Sequence, residues 1–301
     1  MSVGVHCRRH PETVVPDASI REAAQQMESQ RVGCLVVVDA RERPIGIVTD
    51  RDVVVRGLQR GHDPEEMRVE DIMSKVSAKA REATPLNTAI LRMGTDGVRR
   101  LPVIDSHGRL TGVFAYDDAL QHVASNLALA AAAIGAQSQT PPATSTEQDS
   151  WEVPTARRYH QQPVSLGPDA TVSDAIDEME EAGTGSIVVV DDDRAPVGIV
   201  TDRDIMCRVA AVGANPQNVK LSDIMSKDVA FVSEDASLQH VLDYAKEREV
   251  RRIPLVDGSG RLVSIVTLDD VIAELNDELM HLADAVRVEM RSFHRHSLDR
   301  R

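Results

Sequence analysis

The chain repeats itself over most of its 301 residues. Gly46–Asp52 returns letter for letter as Gly198–Asp204, which is an offset of 152 residues. At that same offset His6–Val123 aligns with Arg158–Leu275 without a gap. A long internal repeat decides the architecture before single residues are interpreted, because the copies must fold in the same way. The sequence therefore predicts two equivalent halves.

Each half contains a second, weaker repeat. Gly46–Asp52 is echoed by Gly112–Asp118 in the first half. In the second half, Gly198–Asp204 is echoed by Ser264–Asp270. Every copy ends an apolar run and precedes a helical pattern. The chain therefore divides into four units of about 60 residues, grouped as two pairs.

The first unit has a clear order of elements. Ser19–Glu22 has the pattern of a capping box, which starts a helix. Leu35–Val38 is an apolar run of one leucine and three β-branched valines, which is typical of a buried strand. Ile45–Thr49 is the next strand. A helix then runs to about Gln59. The amphipathic spacing of the first helix rests on four apolar residues: Ile20, Ala23, Ala24 and Met27. The order is strand, helix, strand, strand, helix, and the other three units have the same pattern.

These patterns predict the domain organisation. Each pair ends in a longer helix with apolar residues at 3-4-3-4 spacing, which fits either a helix packed on its own domain or a dimer seam. The helix residues are Leu120, Val123, Leu127, Ala130 and Ile134, and Ile272, Leu275, Leu279, Leu282 and Val286. The predicted segments are a first pair at 1–136 (units at about 7–62 and 70–126, with a helix to 135), a flexible linker at 137–153, a second pair at 154–290 (units at about 158–214 and 222–278) and a tail at 291–301.

Composition excludes several classes of function. A formal net charge of −14 argues against binding nucleic acid through its phosphates. Aromatic residues make up only 2% of the chain, so platforms for stacking single strands are scarce. No apolar stretch reaches the 18 residues or so of a membrane span, and the N-terminus does not resemble a signal peptide. We therefore expect a cytoplasmic protein with neither a nucleic-acid nor a membrane partner.

The junction between strand and helix is where chemistry is expected. Thr49 and Asp52 lie three residues apart at the start of a helix. Such residues have a structural use, since either can cap a helix. A hydroxyl and free amides at a helix start can also hold a phosphate, and a carboxylate can accept hydrogen bonds from a ribose diol. Gly46 would let the backbone approach a ligand closely.

Four such motifs in register resemble the cystathionine-β-synthase (CBS) domain, and each pair of units resembles a Bateman module. The resemblance rests on Gly46–Asp52, Gly198–Asp204, the two Asp-Ile-Met segments and the two Arg-Arg-aliphatic-Pro segments. It covers nearly the whole chain except the linker and the tails. It implies a fold of the α/β (α+β) class, in which β-α-β-β-α units pair about a pseudo-twofold axis and leave two clefts. It also implies an adenosine-containing ligand: AMP, ADP, ATP, S-adenosylmethionine or a dinucleotide.

The resemblance carries specific residues with it. The threonine is expected to meet phosphate or ribose, and the acid is expected to meet the ribose hydroxyls. The second unit departs from the pattern, because Ala115 replaces the threonine while Asp118 remains. In the fourth unit Ser264 replaces the glycine. The matching pairs are Thr49 with Asp52, Thr201 with Asp204, and Thr267 with Asp270.

Paired arginines precede a strand in the second unit of each pair: Arg99 with Arg100, and Arg251 with Arg252. They either contact ligand phosphates or form a solvated basic edge on an acidic protein; Arg100 and Arg252 are the expected ligand contacts. Arg51 and Arg203 are expected to face solvent.

The resulting hypothesis is a sensor without enzymatic activity. It binds an adenine nucleotide or S-adenosylmethionine, and signals occupancy by a change of shape to a separate regulated protein or to a second copy of itself. No metal is expected except Mg²⁺ accompanying ATP. A homodimer is expected, although the two modules of one chain could instead form a single disc. A structural scaffold with vestigial clefts and a nucleotide hydrolase are the alternatives; no catalytic base, nucleophile or metal set supports the hydrolase.

Overall fold

The computed structural model describes residues 2–58, 63–137, 162–273 and 275. Helices alternate with short strands throughout. The helices are α1 (Val3–His6), α2 (Ile20–Ser29), α3 (Asp50–Asp52), α4 (Val69–Ile72), α5 (Leu86–Asp96), α6 (Tyr116–Gln137), α7 (Val172–Glu181), α8 (Asp202–Ile205), α9 (Leu221–Ile224) and α10 (Leu238–Arg248), with a further helix, α11, starting at Leu268. The strands are β1 (Arg8–Arg9), β2 (Thr13–Val14), β3 (Cys34–Val38), β4 (Pro44–Thr49), β5 (Ser74–Lys75), β6 (Ala80–Arg81), β7 (Arg100–Ile104), β8 (Leu110–Ala115), β9 (Ser165–Leu166), β10 (Ser186–Val190), β11 (Pro196–Thr201), β12 (Val232–Ser233), β13 (Arg252–Val256) and β14 (Leu262–Thr267).

The predicted order of strand, helix, strand, strand, helix is confirmed in all four units. Two sheets have the orders β2-β3-β4-β5 and β1-β8-β7-β6, and two have the orders β11-β10-β9 and β12-β13-β14. Parallel pairing across the helix of a unit and antiparallel pairing within its hairpin make each sheet mixed. The α/β (α+β) fold class is therefore confirmed.

The central hairpins share one register. Thr49 pairs with Cys34 where β3 and β4 meet, Ala115 pairs with Arg100 in β7 and β8, and Thr267 pairs with Arg252 in β13 and β14. All three ladders shift at the same step near the turn, as a bulge does. Equal register places the residue that ends each hairpin at the same point of its unit. The internal repeat is therefore a structural repeat.

Local signals at the first helix form as predicted. Ser19 caps α2, and its hydroxyl and the Glu22 carboxylate make the reciprocal bonds of a capping box. The four apolar residues that define the face of α2 have no exposed surface: Ile20, Ala23, Ala24 and Met27. In two units, the helix that follows the hairpin widens into a π-helix, at Val53–Leu58 and Met206–Ala210.

The chain forms two compact units that do not coincide with its two halves. One unit joins the first half to Pro168–Ile187 and Val200–Met225. The other contains Val188–Ile199 and the residues from Ser226 onward. In the first unit, one apolar core packs β7 and β8 against α5 around Phe114 and Leu101. In the second unit, the core of the fourth repeat is built around Leu255 and Val266.

The closing helix of the first half is α6, and its apolar seam is exposed beyond the first turns. Ala119 is buried, whereas Val123 and Leu127 are 42% and 44% exposed. These two residues are therefore not buried against their own domain. The alternative in which the whole seam packs on that domain is not observed. The side chains of Ala130 and Ile134, the linker positions 138–153 and the tail lie outside the described residues.

Candidate functional site

The threonine and the acid at each helix start bind one another. Thr49 is the N-cap of α3, and its hydroxyl oxygen accepts the Asp52 amide at 3.2 Å. In return, Asp52 Oδ2 accepts the Thr49 amide at 2.9 Å and the Thr49 hydroxyl at 2.7 Å. Asp52 Oδ1 lies 3.0 Å from Arg56 Nη1. The pair therefore forms a capping box, which is the structural use that the sequence allowed.

The other units repeat this arrangement with one exception. Asp204 Oδ2 accepts the Thr201 amide at 2.9 Å and its hydroxyl at 2.6 Å. Asp204 Oδ1 meets Arg208 Nη1 at 3.1 Å. The corresponding bonds between Asp270 and Thr267 measure 3.1 and 2.7 Å. In the second unit, only the Ala115 amide bonds to Asp118, at 3.0 Å, because alanine has no hydroxyl.

A cavity of about 140 Å³ lies beside the first of these helix starts. Thr49 and Asp52 line it from the first unit, and Arg99 and Arg100 line it from the second. Lys75, in strand β5 near the start of the second unit, also lines the cavity. The remaining lining residues are Ile47, Ser74, Val76, Ser77, Ala78, Val98 and Pro102. The fold therefore brings the predicted threonine, acid and paired arginines of the first module into one cleft, which we call the first cleft.

Tyr116, the first residue of α6, makes two contacts with Arg99 of the first cleft. The Arg99 guanidinium lies 5.5 Å from the centre of the Tyr116 ring, a cation–π distance. Tyr116 also donates its amide to the Arg99 carbonyl at 2.9 Å. Arg100 opens β7 opposite Ala115. The ring contact therefore orients the Arg99 guanidinium, and the strand pairing positions the backbone of Arg100.

Lys75 is a cleft residue that we did not predict. Asp71–Lys75 recurs as Asp223–Lys227, but the sequence repeat by itself says nothing about where the lysine side chain points. Pairing of Lys75 with Gly46 in the sheet is what brings it to the wall of the cleft. The repeated lysine was the only available signal.

Gly46 has a different role from the one expected. A β-carbon on Gly46 would lie 2.3 Å from Met73 Sδ and 3.0 Å from Met73 Cγ. At Gly112, the corresponding position is 2.8 Å from Cys7 Sγ. The glycine therefore admits a side chain from the other CBS-like unit of its pair, and the expectation that it opens the backbone to a ligand is corrected.

The remaining predicted residues are described within their own compact units. Thr201 and Asp204 belong to the first unit, and Thr267, Asp270 and Arg252 belong to the second. In the second unit, Arg252 pairs with Thr267 across the hairpin, as Arg100 does with Ala115. Arg251 Nη2 lies 3.9 Å from Asp269 Oδ1. Asp118 lies in the first turn of α6, where its carboxylate accepts the amide of Ala115.

Arg51 and Arg203 do not simply face solvent. Arg51 Nη1 donates to the Thr184 carbonyl at 2.7 Å and lies 3.4 Å from Asp202 Oδ2. Arg203 Nε lies 3.8 Å from Asp50 Oδ2. Burial raises the pKa of Asp50 above its usual range, and the nearby Arg203 and Arg100 charges oppose that rise. The Arg51 and Arg203 side chains are 39% and 45% exposed, so both face solvent in part while each also meets a residue of the other repeat.

Comparison with known proteins identifies the family. The CBS domain family model matches residues 3–57, 69–125, 156–211 and 221–277. The chain belongs to the CBS domain family. Its four CBS domains form tandem Bateman modules, as the sequence repeat predicted.

The chain is similar to curated proteins of which it spans less than two thirds, and to one solved structure over most of its length. An uncharacterized protein of Methanopyrus kandleri, MK0525, is 36% identical over 121 residues, which is 40% of this chain and 62% of that protein. Inosine-5'-monophosphate dehydrogenase of Methanocaldococcus jannaschii is 34% identical over 109 residues, 36% of this chain but only 21% of that enzyme. The crystal structure of protein MJ1225 from the same organism is matched over 91% of this chain and 100% of its own, with a TM-score of 0.64 and 20% identity. The last match shows a common fold.

Neither a metal site nor a membrane-spanning helix is found among the described residues. Within the described ranges, no group of three or more His, Cys, Asp or Glu side chains is arranged to hold a metal ion. In that same part of the chain, no helix combines the length and the hydropathy needed to span a bilayer.

Proposed function

We propose that the protein is a regulatory sensor which binds an adenine nucleotide in the first cleft and signals occupancy by a change of conformation. One observation carries the proposal. Thr49 and Asp52 from one CBS domain line a single cavity together with Arg99, Arg100 and Lys75. A hydroxyl and a carboxylate suit a ribose, and three cations suit phosphate groups.

The charge of the cleft favours a phosphate-bearing ligand. Three cations and one carboxylate line the cavity, and the carboxylate is already paired with Arg56. S-adenosylmethionine carries a sulfonium cation, which these basic residues repel. AMP, ADP and ATP carry the opposite charge and gain from the same residues. We therefore assign the first cleft to an adenine nucleotide rather than to S-adenosylmethionine, with Mg²⁺ accompanying ATP if ATP is the ligand.

The position of the cleft supports a change of shape on binding. Residues of two CBS domains line the first cleft. A ligand that contacts both domains at once favours the relative orientation in which all of these contacts form. It therefore shifts the population toward that orientation, and this shift is the signal.

A nucleotide panel tests the proposal. Calorimetric titration with AMP, ADP, ATP, S-adenosylmethionine and adenosine should yield binding for the phosphate-bearing ligands and weaker binding for the other two. Ligand that binds only the folded state also raises the melting temperature. Binding of S-adenosylmethionine tighter than that of every nucleotide would reject the assignment, and binding of none of them would favour the scaffold.

The remaining alternatives need separate measurements. The relative that is a dehydrogenase leaves an enzyme among the alternatives, and release of phosphate from ATP by the purified protein would support a hydrolase. The signal also needs a recipient, for which we propose a second copy of the chain or a separate regulated protein. The exposed Val123 and Leu127 on α6 are available to a second copy. Sedimentation with and without nucleotide tests the homodimer.

A further inference from the structure

The segment Asp50-Arg51-Asp52 of the first CBS domain meets its own repeat in the third. Arg51 Nη1 is 2.7 Å from the Thr184 carbonyl oxygen and 3.4 Å from Asp202 Oδ2. Arg203 Nε, in turn, is 3.8 Å from Asp50 Oδ2. Because Asp202 and Arg203 are the repeats of Asp50 and Arg51, the two contacts are reciprocal. We call these four residues the clasp.

The clasp is partly buried, so its charges depend on one another. The Asp50 and Asp202 side chains are 26% and 13% exposed. A β-carbon on Gly33 would lie 2.9 Å from Arg203 Nη2 and 3.0 Å from Asp50 Oδ2, so this glycine makes room for the pair. The Arg51 and Arg203 side chains are 39% and 45% exposed, so solvent screens both pairs in part. The carboxylates are the more buried partners, and removing its arginine would leave either one short of a counter-charge.

The same short segment belongs to the first cleft. Thr49 is the N-cap of α3, Asp50 and Arg51 are its next two residues, and Asp52 closes the capping box. Thr49 and Asp52 line the cavity, while Asp50 and Arg51 reach the third CBS domain. A capped first turn has little internal freedom. A movement of the cleft wall at Thr49 therefore moves the clasp as well.

Charge provides a second connection. Arg100 lines the first cleft, and its positive charge also acts on Asp50, where with Arg203 it opposes the rise in pKa caused by burial. A ligand phosphate bound to Arg100 would neutralise that charge, so Arg203 would become the main cation that keeps the partly buried Asp50 ionised. A ligand that also holds Thr49 and Asp52 would fix the turn that carries Asp50 and Arg51, and with it the clasp.

We propose that nucleotide occupancy of the first cleft is transmitted through the clasp to the third CBS domain, which the first domain then holds more tightly. The inference rests on the proposed function, because it needs a nucleotide in the first cleft. The third CBS domain is thus the first recipient of the signal, within the same chain. Linkage requires the reverse effect too, so that weakening the clasp lowers the affinity of the cleft.

Hydrogen exchange of the full chain tests the inference. We expect backbone amides of residues 202–210 to exchange several-fold more slowly with saturating ATP or AMP than without it. The effect should disappear in Arg100→Met, which removes the cation of the first cleft. Persistence of the effect in that variant would trace it to another cleft and overturn the inference. Arg109→Met is the matched control, because Arg109 is exposed and pairs with Asp105 away from the cavity.

Calorimetry on the same samples separates the two hypotheses. If wild type binds no nucleotide, the proposed function fails and the inference fails with it. If nucleotide binds and exchange at residues 202–210 is unchanged or faster, only the inference is overturned. Arg51→Met should bind nucleotide several-fold more weakly, and Arg51→Lys should recover part of the loss. Equal affinity of folded Arg51→Met and wild type would contradict the linkage, and the wild-type exchange decides the matter if the variant does not fold.

Discussion

Arg51 of the first CBS domain donates a hydrogen bond of 2.7 Å to the carbonyl oxygen of Thr184, 133 positions later in the chain. The donor lies two residues after Thr49, the cap that lines the first cleft. A single helix turn therefore has a cleft side and a repeat-contact side. Substitutions in this turn and around it can therefore separate contributions to folding from contributions to binding.

Asp52→Ala should weaken both stability and binding. Loss of a helix cap costs about 1 kcal/mol of the free energy of unfolding. Loss of a charged acceptor for a ribose hydroxyl should cost a further 1.5–3 kcal/mol or so of binding free energy. The cost to folding is expected because Asp52 is one half of the capping box at the start of α3. Denaturant melts and calorimetry measure the two effects.

Asp174→Ala is the matched control for that variant. Asp174 makes the same three bonds with Thr171, at 2.9, 2.7 and 3.2 Å, at the start of α7. It does not line the first cleft. It should therefore lose similar stability and keep its nucleotide affinity. Equal loss of affinity in the two variants would mean that Asp52 acts on binding only through folding.

Arg100→Met and Lys75→Met should each weaken binding of ATP by about tenfold, since a hydrogen bond to a charged group is worth about 1.5–3 kcal/mol. The affinity of wild type should also fall with added salt, which screens the partly exposed charges. Arg109→Met removes the same charge elsewhere and should bind as wild type does. Affinities within twofold of wild type for both cleft variants would place the phosphates elsewhere.

Ala115→Thr should give the second unit the threonine–aspartate capping box that the other three units have at this junction. The Asp118 carboxylate already accepts the amide of residue 115 at 3.0 Å, and a hydroxyl would add the bonds seen at Thr49. A gained cap is worth about 1 kcal/mol, so the melting temperature should rise. We also expect the variant to bind nucleotide more tightly at the cleft beside residue 115, or to gain a binding site there. Titration stoichiometry would reveal either change. A melting temperature at or below that of wild type would show that the hydroxyl cannot reach its partners.

Gly46→Ala should destabilise the fold, because its β-carbon would meet Met73 Sδ at 2.3 Å. Overpacking of this kind typically costs about 1–3 kcal/mol. Gly94→Ala is the control, since a β-carbon there meets nothing within 4 Å inside helix α5. That change should stabilise by about 0.5–1 kcal/mol, because alanine favours a helix. If shortening Met73 to Ala does not rescue Gly46→Ala in thermal melts, the contact is not the cause.

Stability should fall as the pH drops below about 4.5. The Ser19 amide and hydroxyl lower the pKa of Glu22 from its ordinary value of 4.5, and the Thr171 hydroxyl and amide lower the pKa of Asp174 from 3.8. A carboxylate with a lowered pKa contributes stability above its unfolded value, and that stability is lost as protons bind. Glu22→Gln should therefore be less stable at pH 7 and show a shallower loss in acid. Parallel acid titrations of the two proteins would contradict this assignment.

Much of the local structure was predictable, and one departure within the site is instructive. The capping box of Ser19 and Glu22 depends on residues three apart, so the sequence contains all of it. The role of Gly46 was not predictable in the same way. Its neighbour Met73 is 27 positions away, and only the pairing of β5 with β4 brings the two together. A repeated glycine indicates that a side chain would not fit at that position. It does not indicate which neighbouring atoms occupy the space.

The sequence by itself determined the four repeats, the order of elements within each, and the helix starts at Ser19 and at the threonine–aspartate junctions. These features depend on periodicity and on contacts between near neighbours, which are written directly into the chain. Only the tertiary structure decided that Lys75 joins Thr49 and Arg100 in one cleft, and that Arg51 reaches Asp202. Those side chains are distant in sequence, and their positions follow from how sheets and helices pack. Packing depends on many weak contacts at once, so no local pattern specifies it.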